Sequence, residues 1–165
     1  VMALEGLAGL GARRARLLRG PVGRVVDTAS VQFPDSERVM GWDVGATGLR
    51  VVLAPTVPDL VRSELRPFVD GFLATHAMTV RDVDHWIAHP GGPKVLLALE
   101  EALGIDRTHT QLTWDSLRDV GNLSSASVLH VLQQVLSSRR PQPGETGVMV
   151  AMGPGFSAEL VLLRW

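Results

Sequence analysis

The chain has 165 residues, of which 45% are apolar and 20% charged, and this composition is ordinary for one globular domain with a buried core. The formal net charge of −1 provides no basic field for nucleic acid or an anionic membrane, and every apolar run is too short to cross a bilayer. Because cysteine is absent, a disulfide, a thiolate metal site and a thiol nucleophile are excluded within this chain. No secretory leader pattern opens the chain, so we expect a cytoplasmic protein.

The first part of the chain is predicted to form strands and then a helix. Residues 24–33 are rich in Val and Thr and end at a Pro-Asp-Ser turn, which indicates a strand, and short strands are expected at 39–42 and 49–53. Thr56 and Pro58 then begin a helical stripe that runs to Leu73. Pro67 lies inside this stripe, so the stripe forms either one kinked helix or two short helices.

The rest of the chain alternates strands and helices. Strands are predicted at 85–89 and 108–114, helices at 93–103 and 124–138, and two final strands at 147–152 and 158–163. Pro93 and Gly104 bracket the first of these helices. This alternation, closed by two adjacent strands, indicates an α/β layer architecture with a mixed sheet.

The segment Trp86-Ile87-Ala88-His89-Pro90-Gly91-Gly92-Pro93 carries one histidine from a short apolar strand into a turn and a helix start. Strand-to-helix junctions are where α/β folds place their sites, although His89 by itself is better explained as a buried structural histidine. His85 and His89 have the spacing of a helical zinc pair, but four strand residues separate them by about 13 Å. Zinc–nitrogen bonds are about 2 Å long, so we expect no metal site.

Asn122 is the only asparagine in the chain and stands just before Ser124 and Ser125. By itself it is best explained as a helix cap. With a strand predicted at 108–114, however, Asn122 also occupies a strand-to-helix junction, and two such junctions can meet at one edge of a sheet. His89 and Asn122 together supply two neutral hydrogen-bond donors for one developing oxyanion, as enolate and acyl-transfer chemistry requires.

The loop Gly153-Pro154-Gly155 lies between the two final strands. With Phe156 to Ala158 it fits the dinucleotide pattern G-x-G-x-x-A, but no helix follows to bind a pyrophosphate, so a dinucleotide site is not predicted. Two explanations stay open for these glycines. They form either a tight turn between paired strands or a close backbone approach to an acyl intermediate.

These three segments, in this order, resemble the C-terminal half of the type III polyketide synthases, the chalcone- and stilbene-synthase-like condensing enzymes. Phe33-Pro34-Asp35-Ser36 and Gly41-Trp42-Asp43-Val44-Gly45 are also similar to bacterial members. The resemblance covers residues 24–165 and implies the second half of a thiolase-like fold. That half has a βαβαβαββ plan, with a mixed five-stranded sheet and helices on both faces. Residues 1–23 are then a partial connector from an upstream half.

The resemblance also implies roles for individual residues. His89 and Asn122 would belong to a Cys-His-Asn catalytic set whose cysteine lies in the upstream half. Both would donate to the thioester oxygen of malonyl-CoA as carbon dioxide leaves. The residues expected to contact coenzyme A or the growing polyketide are Gly91, Gly92, Lys94, Ser124, Gly153, Pro154 and Gly155.

The implied protein is a bacterial acyltransferase of secondary metabolism that acts on an acyl-CoA starter and malonyl-CoA. It needs no cofactor, because coenzyme A thioesters are its substrates, and it pairs with its own upstream half and forms a homodimer. This chain alone is expected to be inactive and to expose apolar surface where that half packs. Two alternatives stay open: half of a type III ketoacyl-carrier-protein synthase, which usually has Gln-Ala-Asn after the histidine, and a non-catalytic thiolase-like scaffold or dimerisation domain.

Overall fold

The computed structural model describes residues 23–165, and the predicted connector therefore lies almost entirely outside the described residues. This part of the chain forms six strands and four α-helices. The strands are β1 (Arg24–Gln32), β2 (Met40–Gly45), β3 (Gly48–Leu53), β4 (His85–Ala88), β5 (Thr146–Gly153) and β6 (Ser157–Arg164). The helices are α1 (Val57–Ala74), α2 (Pro93–Leu103), α3 (Arg107–Val120) and α4 (Ala126–Gln134), with a 3₁₀ turn at Val80–Asp82 and a π-helical turn at Val135–Arg139.

The main sheet is mixed, as predicted, and its strand order is β1-β6-β5-β4. Strands β4 and β5 are parallel, with Ala88 opposite Val150, whereas the other neighbours are antiparallel. Strands β2 and β3 form a separate antiparallel hairpin. Within residues 23–165 the main sheet thus has four strands, not the expected five, and the element order departs from the expected βαβαβαββ plan because helix α3 takes the place of the third strand.

Helices cover both faces of this sheet, which confirms the predicted layering. Alternate strand residues point to opposite faces. On one face Trp86, Ala88, Val148 and Val150 pack with the apolar stripes of α1 and α2. On the other face Ile87, Met149 and Leu163 pack with Val131, Leu132 and Val135 of α4 and the π-helical turn. His89 and the Gly153–Gly155 loop therefore follow strands β4 and β5, which are largely buried on both faces.

The prediction of a strand at 108–114 is wrong, because these residues lie inside helix α3. Asp106 caps this helix by accepting a hydrogen bond from the Thr108 amide at 2.8 Å. The buried face of α3 is made of Thr110, Thr113 and Ser116 instead of aliphatic residues. Small hydroxyl residues hide the helical period from an apolar pattern, and the threonines favour a strand assignment.

The remaining helices follow the sequence closely. Helix α1 runs without interruption through Pro67, so the two-helix alternative is wrong. Proline removes the hydrogen bond to the carbonyl four residues earlier, but Ser63 and Pro67 are both exposed and water can satisfy that carbonyl. Helix α2 ends at Gly104, which adopts the left-handed conformation typical of this position. Between residues 23 and 165, no helix is both long and apolar enough to cross a membrane.

Candidate active site

His89 follows the last residue of β4, at the carboxyl end of the parallel strand pair. Its amide donates to the Val150 carbonyl at 2.8 Å, and its own carbonyl accepts from the Gly91 amide at 2.9 Å. These two bonds fix the backbone on either side of a half-buried imidazole, whose ring nitrogens make no hydrogen bond to any residue from 23 to 165. Burial lowers the pKa of His89, so the ring is neutral near pH 7 and carries one N–H donor.

The turn after His89 leads directly into helix α2. Gly92 precedes the helix with φ of 152°, a conformation that favours glycine, and its carbonyl accepts the first helical bond from Leu96 at 3.0 Å. Pro93 opens the helix and Lys94 follows it, exposed to solvent. A Cβ placed on Gly91 would lie 3.7 Å from Cδ2 of His89. Gly91 therefore lies immediately beside the imidazole, and contact of Gly92 and Lys94 with coenzyme A stays a prediction.

Asn122 lies between helices α3 and α4, and its predicted strand-to-helix junction is wrong because α3 replaces the strand. Its side-chain nitrogen nevertheless donates to the Gly91 carbonyl at 3.4 Å. Its side-chain oxygen accepts from the Ser124 amide at 2.8 Å, but the N-cap of α4 is Ser125, so the expectation that Asn122 caps this helix is wrong. Since an amide has two N–H donors, one still points away from Gly91.

Gly91 thus lies between the two predicted catalytic residues. It bonds to Asn122 through its carbonyl and faces the His89 ring through its α-carbon. The structure brings a half-buried neutral histidine and an exposed asparagine to one turn. Donation by both to a single oxygen stays a prediction.

Ser124 shares the short loop of Asn122 and is exposed. Its φ of 57° is left-handed, which is uncommon for a residue with a side chain. The bonds that surround it explain how this conformation persists. Asn122 accepts from the Ser124 amide, and the buried Ser127 hydroxyl accepts from the Leu123 amide at 2.7 Å. The loop is therefore held rigidly next to Asn122.

The Gly153-Pro154-Gly155 loop joins β5 to β6 as a tight turn, which confirms one of the two explanations given for it. It lies three residues beyond Val150, which pairs with Ala88, so about 10 Å of strand separates its start from the level of Ala88, the residue before His89. Because β4 and β5 are parallel, the loop and His89 lie at the same edge of the sheet. The second explanation, approach to an acyl intermediate, stays a prediction.

Sequence reasoning missed the residues that hold this loop from outside. Met40 accepts a hydrogen bond from the Gly155 amide at 3.0 Å, and Gln32 donates to the Gly155 carbonyl at 3.2 Å. Buried Ser36 also bonds to the loop. The Phe33-Pro34-Asp35-Ser36 turn was notable in the sequence only for its resemblance, and a serine after Pro-Asp gives no signal for a partner about 120 residues away.

One face of the β2–β3 hairpin is apolar and exposed. Trp42 pairs with Val51 and Val44 with Leu49, and directly opposed residues point to the same side. These four side chains and Leu53 are each more than half exposed. A contiguous apolar patch of this kind marks an interaction surface. The expected exposed apolar surface is therefore present.

Two further features lie away from this edge. A cleft of about 250 Å³ at the amino end of β4 is lined by His85, His109 and Arg139 among others, and by none of the predicted site residues. His85 bonds to Glu145 at 2.8 Å, and this contact lowers the pKa of the Glu145 carboxyl. In the part of the chain that the structure describes, no three His, Asp or Glu side chains are grouped to hold a metal ion.

Comparison with known proteins agrees with this arrangement. Residues 25–165 match the family described as chalcone and stilbene synthases, C-terminal domain. The chain belongs to this family of type III polyketide synthases, and its fold is thiolase-like.

Individual members of this family are similar to the chain in sequence and in structure. The chain is 51% identical over 141 residues to 1,3,6,8-tetrahydroxynaphthalene synthase of Streptomyces peucetius subsp. caesius, a match that covers 86% of this chain and 37% of that protein. A putative chalcone synthase of Bacillus subtilis is 37% identical, with 86% and 39% covered. The crystal structure of the tetrahydroxynaphthalene synthase of Streptomyces coelicolor superposes with a TM-score of 0.82 at 30% identity, covering 87% of this chain and 41% of that one. The chain spans about two fifths of the length of these relatives.

Proposed function

We propose that this chain supplies the C-terminal part of the active site of a type III polyketide synthase. The enzyme is an acyltransferase that condenses malonyl-CoA onto an acyl-CoA starter with loss of carbon dioxide. One observation carries the proposal: Asn122 bonds to Gly91, beside the His89 ring, at the sheet edge that also holds the loop of Gly153 to Gly155. The simpler explanations, a buried structural histidine and an unrelated helix cap, do not require His89 and Asn122 to lie next to each other.

The chemistry follows from two neutral donors at one place. When the bond between the malonyl carboxylate and its α-carbon breaks, carbon dioxide leaves and the electron pair moves onto the thioester oxygen. His89 and Asn122 donate hydrogen bonds to that oxygen and stabilise the enolate. Loss of one such donor typically raises the barrier by about 3–4 kcal/mol. A neutral His89 can fill this role, because the neutral ring keeps one N–H donor.

The second step needs a nucleophile that this chain lacks. A cysteine of the upstream half carries the starter as a thioester, and the enolate carbon attacks its carbonyl while the thiolate leaves. During acyl loading, neutral His89 accepts the proton of that thiol and pairs as an imidazolium with the thiolate, and it then passes the proton to the departing coenzyme A thiolate. The catalytic unit is therefore residues 24–165 together with the upstream half, and coenzyme A thioesters enter as substrates without a further cofactor.

The remaining predicted contacts fit the same edge of the sheet. Gly91 and Gly92 offer room to the pantetheine arm of coenzyme A, and the Lys94 backbone, in the first turn of α2, offers an amide. Ser124 and the Gly153–Gly155 loop line the space in which the chain grows. The apolar face of the β2–β3 hairpin belongs to the surface that the upstream half covers, and the complete enzyme is a homodimer.

The test compares the isolated chain with the protein that includes its upstream half. Each is incubated with an acyl-CoA and radiolabelled malonyl-CoA, and products are separated and identified by mass. We expect pyrones or resorcinols from the longer protein and none from the isolated chain. Turnover by the isolated chain at the rate of the longer protein would contradict the proposal, and so would an upstream half without a thiolase-like fold or a cysteine.

A further inference from the structure

Ser36 is a buried hydroxyl at the end of the Phe33–Ser36 turn, with only 2% of its surface exposed. Its Oγ donates to the Phe33 carbonyl within its own turn and accepts from the Phe156 amide at 2.9 Å. The Gly155 carbonyl lies 3.3 Å from the same oxygen. One hydroxyl therefore links the turn after β1 to the end of the Gly153–Gly155 loop.

Backbone hydrogen bonds also connect the Phe33–Ser36 turn to Phe156, next to the bonds of the Ser36 hydroxyl. The Phe156 amide also reaches the Ser36 carbonyl at 3.2 Å, and the Phe33 amide donates to the Phe156 carbonyl at 2.9 Å. The Phe33 and Phe156 rings stack with centroids 5.9 Å apart. Gly155 itself has φ of 114°, a conformation that glycine adopts readily and other residues rarely adopt. The loop backbone is thus set by the 33–40 segment, through Ser36 and Met40.

We infer that Ser36 is a positioning residue, whose hydroxyl fixes the Gly153–Gly155 loop and through it the space available to the growing acyl chain. This inference rests on the proposed function. The donors at His89 and Asn122 are held by a different set of contacts, through Gly91, Val150 and Ser124. Ser36 therefore acts on how far the chain is extended and how it is released, and leaves the decarboxylation step unchanged.

The matched variants are Ser36→Ala and Ser116→Ala, made in the protein that includes the upstream half. Ser116 is an equally buried serine whose hydroxyl bonds to His130 at 2.9 Å, between α3 and α4 and away from the loop. Ser36→Ala loses two hydrogen bonds of a buried hydroxyl and Ser116→Ala loses one, so urea unfolding of both variants is measured alongside to control for loss of stability. In Ser36→Ala we expect the ratio of early-released to full-length products to rise about fivefold, the factor that one hydrogen bond provides. Malonyl-CoA decarboxylation should stay within about twofold of wild type, as it should in Ser116→Ala.

Hydrogen exchange gives a second readout that does not depend on catalysis. The Gly155 and Phe156 amides should exchange faster in Ser36→Ala and at the wild-type rate in Ser116→Ala. If the wild-type protein forms no polyketide, the proposed function fails, and faster exchange at the loop still supports the positioning role. Unchanged exchange at both amides, or a product ratio that shifts equally in the two variants, would overturn the inference.

Discussion

Asn122 makes two contacts that a pair of substitutions can separate. Its oxygen holds the Ser124 amide at 2.8 Å and stabilises the loop, whereas its nitrogen supplies the proposed donor to substrate. Asn122→Asp keeps an oxygen for Ser124 and removes the nitrogen. Asn122→Ala removes both. Comparing the two variants therefore separates the contribution of Asn122 to stability from its contribution to the transition state.

The magnitudes follow from these contacts. Loss of the donor should slow malonyl-CoA decarboxylation about 100- to 1,000-fold in both variants. The new carboxylate of Asn122→Asp is exposed, so water screens its repulsion with the Gly91 carbonyl and unfolding free energy should change little. Asn122→Ala should additionally lose about 1 kcal/mol of stability, because it removes the side-chain hydrogen bond to the Ser124 amide.

The assay measures carbon dioxide release from malonyl-CoA by the protein that includes its upstream half, with urea unfolding of each variant alongside. Ser125→Ala is the control, because Ser125 is exposed in the same loop and its side chain makes no cap hydrogen bond. Decarboxylation within about threefold of wild type in Asn122→Asp would refute the donor role, since a lost donor costs far more.

Three further predictions concern other parts of the molecule. In an NMR titration of the chain, His89 should titrate below the ordinary value of about 6.5, because burial lowers its pKa. The stability that comes from burying a neutral His89 is then complete above about pH 6.5 and is lost as the pH falls further. A midpoint above 6.5 would contradict this prediction. Gly147→Ala should destabilise the fold by about 1–3 kcal/mol, because the new Cβ would lie 2.7 Å from the Trp165 ring and 3.3 Å from the His85 carbonyl. Gly71→Ala should stabilise it by up to about 1 kcal/mol, because Gly71 is an exposed mid-helix residue of α1 with open space around it. Thermal unfolding compares the two variants, and equal shifts in their melting temperatures would contradict the reasoning. The double substitution Val44→Lys and Val51→Lys should reduce self-association of the isolated chain in analytical ultracentrifugation and its binding of a hydrophobic dye, because both residues lie on the apolar hairpin face. Unchanged association and dye binding would show that this face is not the associating surface.

Most of the fold could be predicted from the sequence because apolar runs mark most of the strands, and proline and glycine mark helix ends. Strands β4, β5 and β6 are short apolar runs, and Pro93 and Gly104 mark both ends of α2. Helix α3 could not be predicted in this way. Its buried face is Thr110, Thr113 and Ser116, and what specifies it is a cap at Asp106 and packing against the rest of the domain.

The site was predictable in part for the same reason. The junction after β4 is local in sequence, so the position of His89 followed directly from the strand and the Gly-Gly-Pro turn. Asn122 reaches the site from a helix–helix loop, and its bond to Gly91 joins residues 31 positions apart. Ser36 is further still, 120 positions from its Phe156 partner. Contacts of such separation form only when the tertiary structure is assembled, so they leave no local pattern in the sequence.

The assignment of His89 and Asn122 to one thioester oxygen is tested most directly by a crystal structure of the protein with its upstream half, bound to a malonyl-CoA analogue that cannot lose carbon dioxide. We predict that Nε2 of His89 and Nδ2 of Asn122 each lie about 2.7–3.1 Å from the thioester oxygen, which puts the two nitrogens within about 6 Å of each other, beside Gly153–Gly155. Side chains that face different surfaces, or nitrogens more than about 12 Å apart with the analogue bound, twice the span that two such hydrogen bonds allow, would contradict the assignment.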